Sequence, residues 1–166
     1  MKRHRRVTHA GLREVLDYDD QTGEFRWLKR ISGSIHVNDI AGSLSGEGYR
    51  RISIAGRLYR AHQLAWFYVT GEWCKGVIDH RDGDPSNNRW NNLRSATLSQ
   101  SNANRRPCRN TACGLKGVSQ DRQRWRATIY KNGHRHHLGN FRTPQEAHAA
   151  YVKAARKLFG EFARTE

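Results

Sequence analysis

Between Val77 and Thr97 the chain can form little besides two short strands joined by a polar loop. Val77 and Ile78 are an apolar pair followed at once by Asp79 and His80, which reads as a short strand ending on two polar side chains. Asp82-Gly83 and Asp84-Pro85 are strong turn signals. A second short apolar segment follows through Leu93 and Ala96. From Ser99 the pattern turns helical, with Ser99 as the expected N-cap. Asp79 and His80 therefore sit on a strand–loop–strand–helix unit, with Asn88, Asn91 and Asn92 close behind.

The chemistry open to such a unit is limited. A carboxylate holds a hard cation such as Mg²⁺ through oxygen, and that ion keeps several waters. A neutral imidazole beside it can take a proton from one of them. The cation can stabilise the leaving oxygen of a phosphodiester, and a side-chain amide can hold the imidazole in its working orientation. A lone Asp-His pair is more often a polar strand end with asparagines as loop filler. The length of the whole string favours the chemical reading.

The 166 residues are enough for one or two small domains. A hydrophobic content of 36% and a mean hydropathy of −0.91 suit two modest cores with polar connections. The formal net charge of +15 points to a polyanionic partner, the alternatives being a solvated basic surface or a membrane-surface binder. No run approaches ~18 apolar residues, so no transmembrane helix is expected. The basic start, Met1 to Arg6, is not followed by an apolar stretch and is not expected to be a secretory signal. It is either a phosphate-touching arm or a disordered tail. Cys74, Cys108 and Cys113 are an odd number with no close pair. Reduced thiols are the expectation, and zinc on Cys108, Cys113 and nearby histidines is the minor alternative.

Thr8 is a candidate N-cap for a short helix with Leu12, Val15 and Leu16 as its stripe. Asp19 to Gly23 is a turn, and 24–28 a strand carrying Phe25 and Trp27. Residues 31–48 read as loop, with a short strand at 41–43. Residues 49–54 and Leu58-Tyr59 form a hairpin around Ala55-Gly56. Residues 61–69 read as a helix whose aromatics belong to the core. Arg50, Arg51, Arg57 and Arg60 are candidates for phosphate contact. Residues 105–113 are a polar linker, which places the domain boundary there.

The last third alternates cleanly. Trp125, Ala127 and Ile129 point one way, and Arg124, Arg126, Thr128 and Tyr130 the other. Lys131-Asn132-Gly133 is a hairpin turn. A third strand at 134–139 puts Arg135 and His137 on the arginine face. A helix from Thr143 or Pro144 follows, with Ala147, Tyr151 and Leu158 on its apolar side. From Arg105 onward there are 14 Lys/Arg against 4 Asp/Glu, ten of the fifteen net charges. A β-ribbon of this kind suits the major groove, where arginine can contact guanine O6 and N7.

Two resemblances add to this reading. The string from Asp79-His80 through Gly83, Asn87-Asn88-Arg89 and Asn92-Leu93-Arg94 to Thr97 resembles the HNH (His-Asn-Asn) motif of phage homing endonucleases, within a match of about 61–104. The resemblance implies an α+β fold with a ββα-metal (His-Me) finger in a nuclease domain over 1–104. It makes His80 the general base, Asp79 a metal ligand, Asn92 the residue that orients the histidine, and Mg²⁺ or Mn²⁺ the single ion. Where similar proteins complete the metal site with asparagine, this chain has Ser101, with Asn102 next to it. Either Ser101 binds through a water, or Asn102 shifts in, or activity is weakened. The implied activity is cleavage of double-stranded DNA by a phage-encoded protein in the bacterial cytoplasm, with no membrane. A monomer with one active centre would nick, and two breaks would need a dimer. The competing reading is a catalytically impaired DNA-binding regulator. RNA binding is weaker still, because the sheet face has few stacking aromatics.

Residues 114–162 resemble the ethylene-response-factor (APETALA-two type) DNA-binding domain, a three-stranded antiparallel sheet packed on one helix. The likeness rests on Lys116-Gly117-Val118, Trp125 to Ile129, Leu138 to Phe141 and the alanine-rich helix. It implies DNA contacts by Lys116, Ser119, Arg122, Arg124, Arg126, Thr128, Tyr130, Arg135 and His137. Ser119 and His137 replace the usual arginine and tryptophan, so a different sequence is read.

Overall fold

The computed structural model describes residues 6–107 and 113–165. Met1 to Arg5, Cys108 and most of the expected linker lie outside the described residues. Two compact units are present, the first reaching Ser95 and the second starting at Ala96.

In the first unit α1 (His9–Val15) starts at Thr8, whose hydroxyl accepts from Gly11 N at 3.1 Å. Leu16 leaves the expected helical stripe and opens β1 (Leu16–Tyr18), antiparallel to β2 (Phe25–Trp27). In each three-residue strand the outer pair is buried and the middle residue exposed, the period-2 pattern of a half-buried hairpin. A second sheet runs in the order β3 (Ser43–Leu44), β4 (Arg50–Ile54), β5 (Arg57–Arg60). β3 sits two residues later than the strand expected at 41–43. Ala41 is instead fully buried, with its N–H bonded to Phe25 O.

The chain then enters α2 (Ala61–Thr70), which Gly71 ends in the left-handed conformation. β6 (Val77–His80) and β7 (Leu93–Ala96) pair as a third small sheet. Leu12, Leu16, Phe25, Ile52 and Leu64 are fully buried at the centre of this unit. Each such side chain contributes about 1.5–3 kcal/mol of transfer free energy. Of the aromatics on α2, Phe67 is in the core and Tyr68 packs against it, as expected, whereas half-buried Trp66 lies outside that cluster and meets Trp90 with ring centroids 5.4 Å apart.

The second unit opens with α3 (Leu98–Asn104). Its N-cap is Thr97, not the expected Ser99: Thr97 and Gln100 form a reciprocal capping box. β8 (Val118–Asp121), β9 (Arg124–Lys131) and β10 (His134–Phe141) form an antiparallel sheet with β9 central. α4 (Pro144–Phe159) follows, with a Thr143–Glu146 capping box and proline in its first turn. Val118 and Ala127 from the sheet share a core with Ala147 from α4, and Trp125, Leu138 and Phe141 pack against it. Asn132 and Gly133 both take positive φ, the two-residue turn that matches strand twist. Cys74 and Cys113 are free thiols. No helix among the described residues is long and apolar enough to cross a membrane.

Candidate active site and basic sheet face

β6 delivers Asp79 and His80 at its end, 6% and 7% exposed. Asp79 Oδ2 accepts from Arg94 Nε at 2.9 Å, and Arg94 on β7 is equally buried. This ion pair fixes the carboxylate in a place where an unpaired charge would be costly.

His80 Nε2 lies 3.3 Å from Asn88 Oδ1. Asn88 Nδ2 donates to Ser86 O at 3.0 Å, which turns the amide oxygen toward the ring. An amide oxygen only accepts, so Nε2 carries the proton and Nδ1 keeps the lone pair. Burial pulls the imidazole below its usual pKa, against the opposing pull of Asn88 and of the carboxylates of Asp82, Asp79 and Asp84. His80 is therefore disposed to be neutral, the form a base needs.

The amide expected at the imidazole was that of Asn92, and its side chain is engaged elsewhere. Asn92 Oδ1 accepts from Asp82 N at 3.1 Å, and Nδ2 donates to Asp82 Oδ1 at 3.0 Å and to Asn87 O at 2.8 Å. Asn92 staples the base of the loop, while the turns at 82–86 bring Asn88 back over His80. The same amides offset the effect of burial on Asp82: burial raises its pKa, but Asp84 N–H, Asn92 and Asn87 hold it below the usual value.

Two further rings face His80. His62, from the first turn of α2, meets it edge-on at 5.0 Å and 87°, and Tyr49 lies 5.4 Å from His62 and 6.2 Å from His80. Burial, then the neighbouring His80 and Arg60, push His62 down to about 3. His62 was not among the expected site residues. Its signal was a histidine set in the buried run of Ala61, Leu64 and Ala65.

The front of the chain grips this loop. Tyr18 Oη donates to Asn88 O at 2.6 Å, Arg89 Nε to Gln21 O at 2.8 Å, and Trp90 N to Asp20 O at 3.1 Å. The approach is close enough to require glycine: Gly23 has φ +77°, and a Cβ there would lie 2.5 Å from Arg89 N and Asn88 C.

The first-unit arginines divide by role. Arg50 donates to Gly42 O at 2.9 Å, Arg51 pairs with Glu47, Arg57 lies over Tyr59 and Arg60 over Tyr49. Of these, Arg51 and Arg60 face each other across β4 and β5 on one side of the sheet.

On α3, Ser101 is half-buried and Asn102 exposed, four and five residues past the Thr97 cap. No cluster of three or more His, Cys, Asp or Glu able to hold a metal exists among the described residues.

In the second unit the pairing places Ser119 beside Arg126, Thr128 beside His137, and Tyr130 beside Arg135, all on the face away from Ala127 and Ile129. Arg122, in the left-handed region at φ 55°, occupies the β8–β9 turn. These are the expected face residues. Lys116 is not on the face: its ammonium donates to Ala103 O and, at 2.6 Å, to Arg105 O, holding the C-terminus of α3. Burial, with Arg164 and Arg105 nearby, pushes Lys116 down to about 8.

Two residues join the face unannounced. Asp121 pairs with Arg126. Asn140 lies beside Arg126 because β10 carries a bulge between His137 and Gly139. Gly139 takes φ +139° there. Strict alternation hid Asn140, and its signal was the glycine inside the strand.

The profile of the HNH endonuclease family matches residues 59–103. The chain is 36% identical over 110 residues to Protein 3.8 of Escherichia phage T7, covering 63% of this chain and 88% of that protein. It is 37% identical over 87 residues to an uncharacterized HNH endonuclease of Acanthamoeba polyphaga mimivirus, covering 52% of this chain and 44% of that protein.

Proposed function

The chain belongs to the HNH endonuclease family, and from that premise we propose that it is a homing-type endonuclease that nicks double-stranded DNA in a bacterial host cell. The observation that carries the chemistry is a buried, neutral-favoured His80, held at Nε2 by Asn88 and next in the chain to Asp79, which Arg94 fixes in place. His80 Nδ1 takes the proton of the attacking water. Asn88 keeps that nitrogen aimed, and Asn92 holds the loop shut behind it. Asp79, anchored by Arg94, would hold the divalent ion, Mg²⁺ or Mn²⁺, and the motif assigns the second ligand to Ser101 or Asn102. When bound, that ion supplies charge stabilisation at the leaving oxygen.

The ββα-metal reading of β6, β7 and α3 is supported by their order and by the family match. The ethylene-response-factor reading of the second unit is supported by the sheet, its helix and its arginine face. With one active centre per chain, a monomer breaks one strand. A supercoiled-plasmid assay with Mg²⁺ or Mn²⁺ tests the proposal on the native chain, Ser101→Asn and His80→Ala. Nicking by the native chain that is lost in His80→Ala supports it.

Ser101 in the ligand position favours a second reading, a DNA-binding regulator with an impaired site. It takes precedence if none of the three proteins cuts while all bind duplex.

A further inference from the structure

Arg126 stands at the centre of the basic face, on the middle strand between Ser119 of β8 and Asn140 of β10. An arginine there has two possible partners on DNA. Phosphate oxygens attract it strongly and carry no sequence information, whereas a guanine edge takes two parallel N–H bonds and does. A guanidinium on a free stem goes to the nearest phosphate. Arg126 is not free in this sense: its Nη2 donates to Asp121, diagonally across on β8 and about as exposed, at 35% against 37%.

A carboxylate in the middle of a basic face has a cost, since it repels the backbone the face must approach. It also has two effects that favour reading bases. It fixes the plane of the guanidinium, leaving the remaining N–H donors pointed outward as a fork. Its own oxygens accept from amino groups and are repelled by the O4 and O6 acceptors of mismatched bases, a penalty on wrong partners rather than a gain for the right one. Asp121 directly faces Arg124 across the strands as well, but its ion pair is with Arg126, and that is the guanidinium it holds back from phosphate.

We propose that Asp121 is a specificity-determining residue that holds Arg126 as a reader of guanine in the major groove. This rests on the second unit being the DNA-binding face. Without Asp121 the sheet would still bind DNA, and more tightly to random sequence, but with less discrimination.

The test uses the full chain in EDTA, so that the probe is not cut. A preferred duplex is first selected from a randomised pool by the native protein. Binding of native, Asp121→Asn and Arg126→Ala proteins is then compared on that duplex, on versions with each guanine replaced, and on random duplex, across a salt series. Asp121→Asn keeps the shape of the side chain, and thermal melts check that the fold is retained.

The expected result is a guanine whose replacement weakens native binding about tenfold or more. Arg126→Ala erases that preference. Asp121→Asn reduces it at least severalfold while binding random duplex more tightly, with a salt slope steeper by about 0.9 as one more phosphate is engaged. Unchanged guanine preference in Asp121→Asn, with Arg126→Ala impaired, overturns the inference alone. Arg126→Ala binding every duplex like the native protein overturns the inference and the DNA-binding reading of the face together.

Discussion

The hydroxyl of Tyr18 donates to the main-chain oxygen of Asn88, 70 residues further on, and the side chain of that same Asn88 holds His80. A residue in the first hairpin thus fixes the backbone from which the orienting amide projects. Tyr18→Phe removes only the hydroxyl. It is expected to destabilise the first unit by about 1 kcal/mol and to slow nicking severalfold through a looser His80. Urea melts and plasmid nicking rates, measured on one preparation, check both. An unchanged rate would separate Asn88 from Tyr18.

Asn88→Ala is expected to cost more activity than Tyr18→Phe, and Asn92→Ala to cost more stability. Asn88 touches the imidazole, and Asn92 touches only the loop. Losing the three bonds of Asn92 should lower stability by about 2 kcal/mol or more. The reverse order of the two effects would return the orienting role to Asn92.

Arg94→Ala removes the guanidinium that pairs with the buried carboxylate of Asp79. Breaking such a pair from one side costs about 3–5 kcal/mol, so the first unit should unfold at clearly lower denaturant concentration. Arg94→Lys keeps the charge but loses the fixed planar donor, and should recover only part of the loss.

Acid should weaken the first unit through His62. The groups facing it are His80, Arg60 and Tyr49, and its folded pKa is pushed down to about 3. An unfolded histidine titrates near ~6.5. Between these values the unfolded chain binds more protons, so stability rises with pH across that window and falls on acidification. The loss from His62 alone should be about 1.4 kcal/mol per pH unit below about pH 6.5. Urea midpoints for native and His62→Gln proteins from about pH 7 to about pH 4.5 check it. Parallel curves would sink the idea.

Lys116→Ala and Arg124→Ala should fail differently. Lys116 holds the end of α3, so its loss should lower the melting temperature and leave the salt slope of DNA binding unchanged. Arg124→Ala should leave the melting temperature alone and flatten the slope by about 0.9.

How far the sequence was legible follows from what alternation and turn chemistry can carry. They placed β6, the hairpin at Asn132-Gly133 and the arginine face, because each depends on residues within a few positions. They could not tell Asn88 from Asn92, since both sit in one polar loop and only its folded path decides which amide returns to His80. Ser99 and Thr97 are both good caps; the reciprocal glutamine three residues on, Gln100, singles out Thr97. The alternation read for the third strand ended at residue 139, and the bulge after His137 is what brings Asn140, one residue further on, beside Arg126. Lys116 came in only through the resemblance, and its partners, the carbonyls of Ala103 and Arg105, belong to a segment that alternation does not reach.

The grip of the first hairpin on residues 88–90 also bears on how this motif can be moved. The span by which the family is recognised begins at residue 59, yet Tyr18, Asp20, Gln21 and Gly23 all lie before it. A transplant cut at that boundary would carry the histidine and its asparagines without the brace that sets their loop. For this chain, what identifies the motif and what can be grafted as a working part are different lengths of polypeptide.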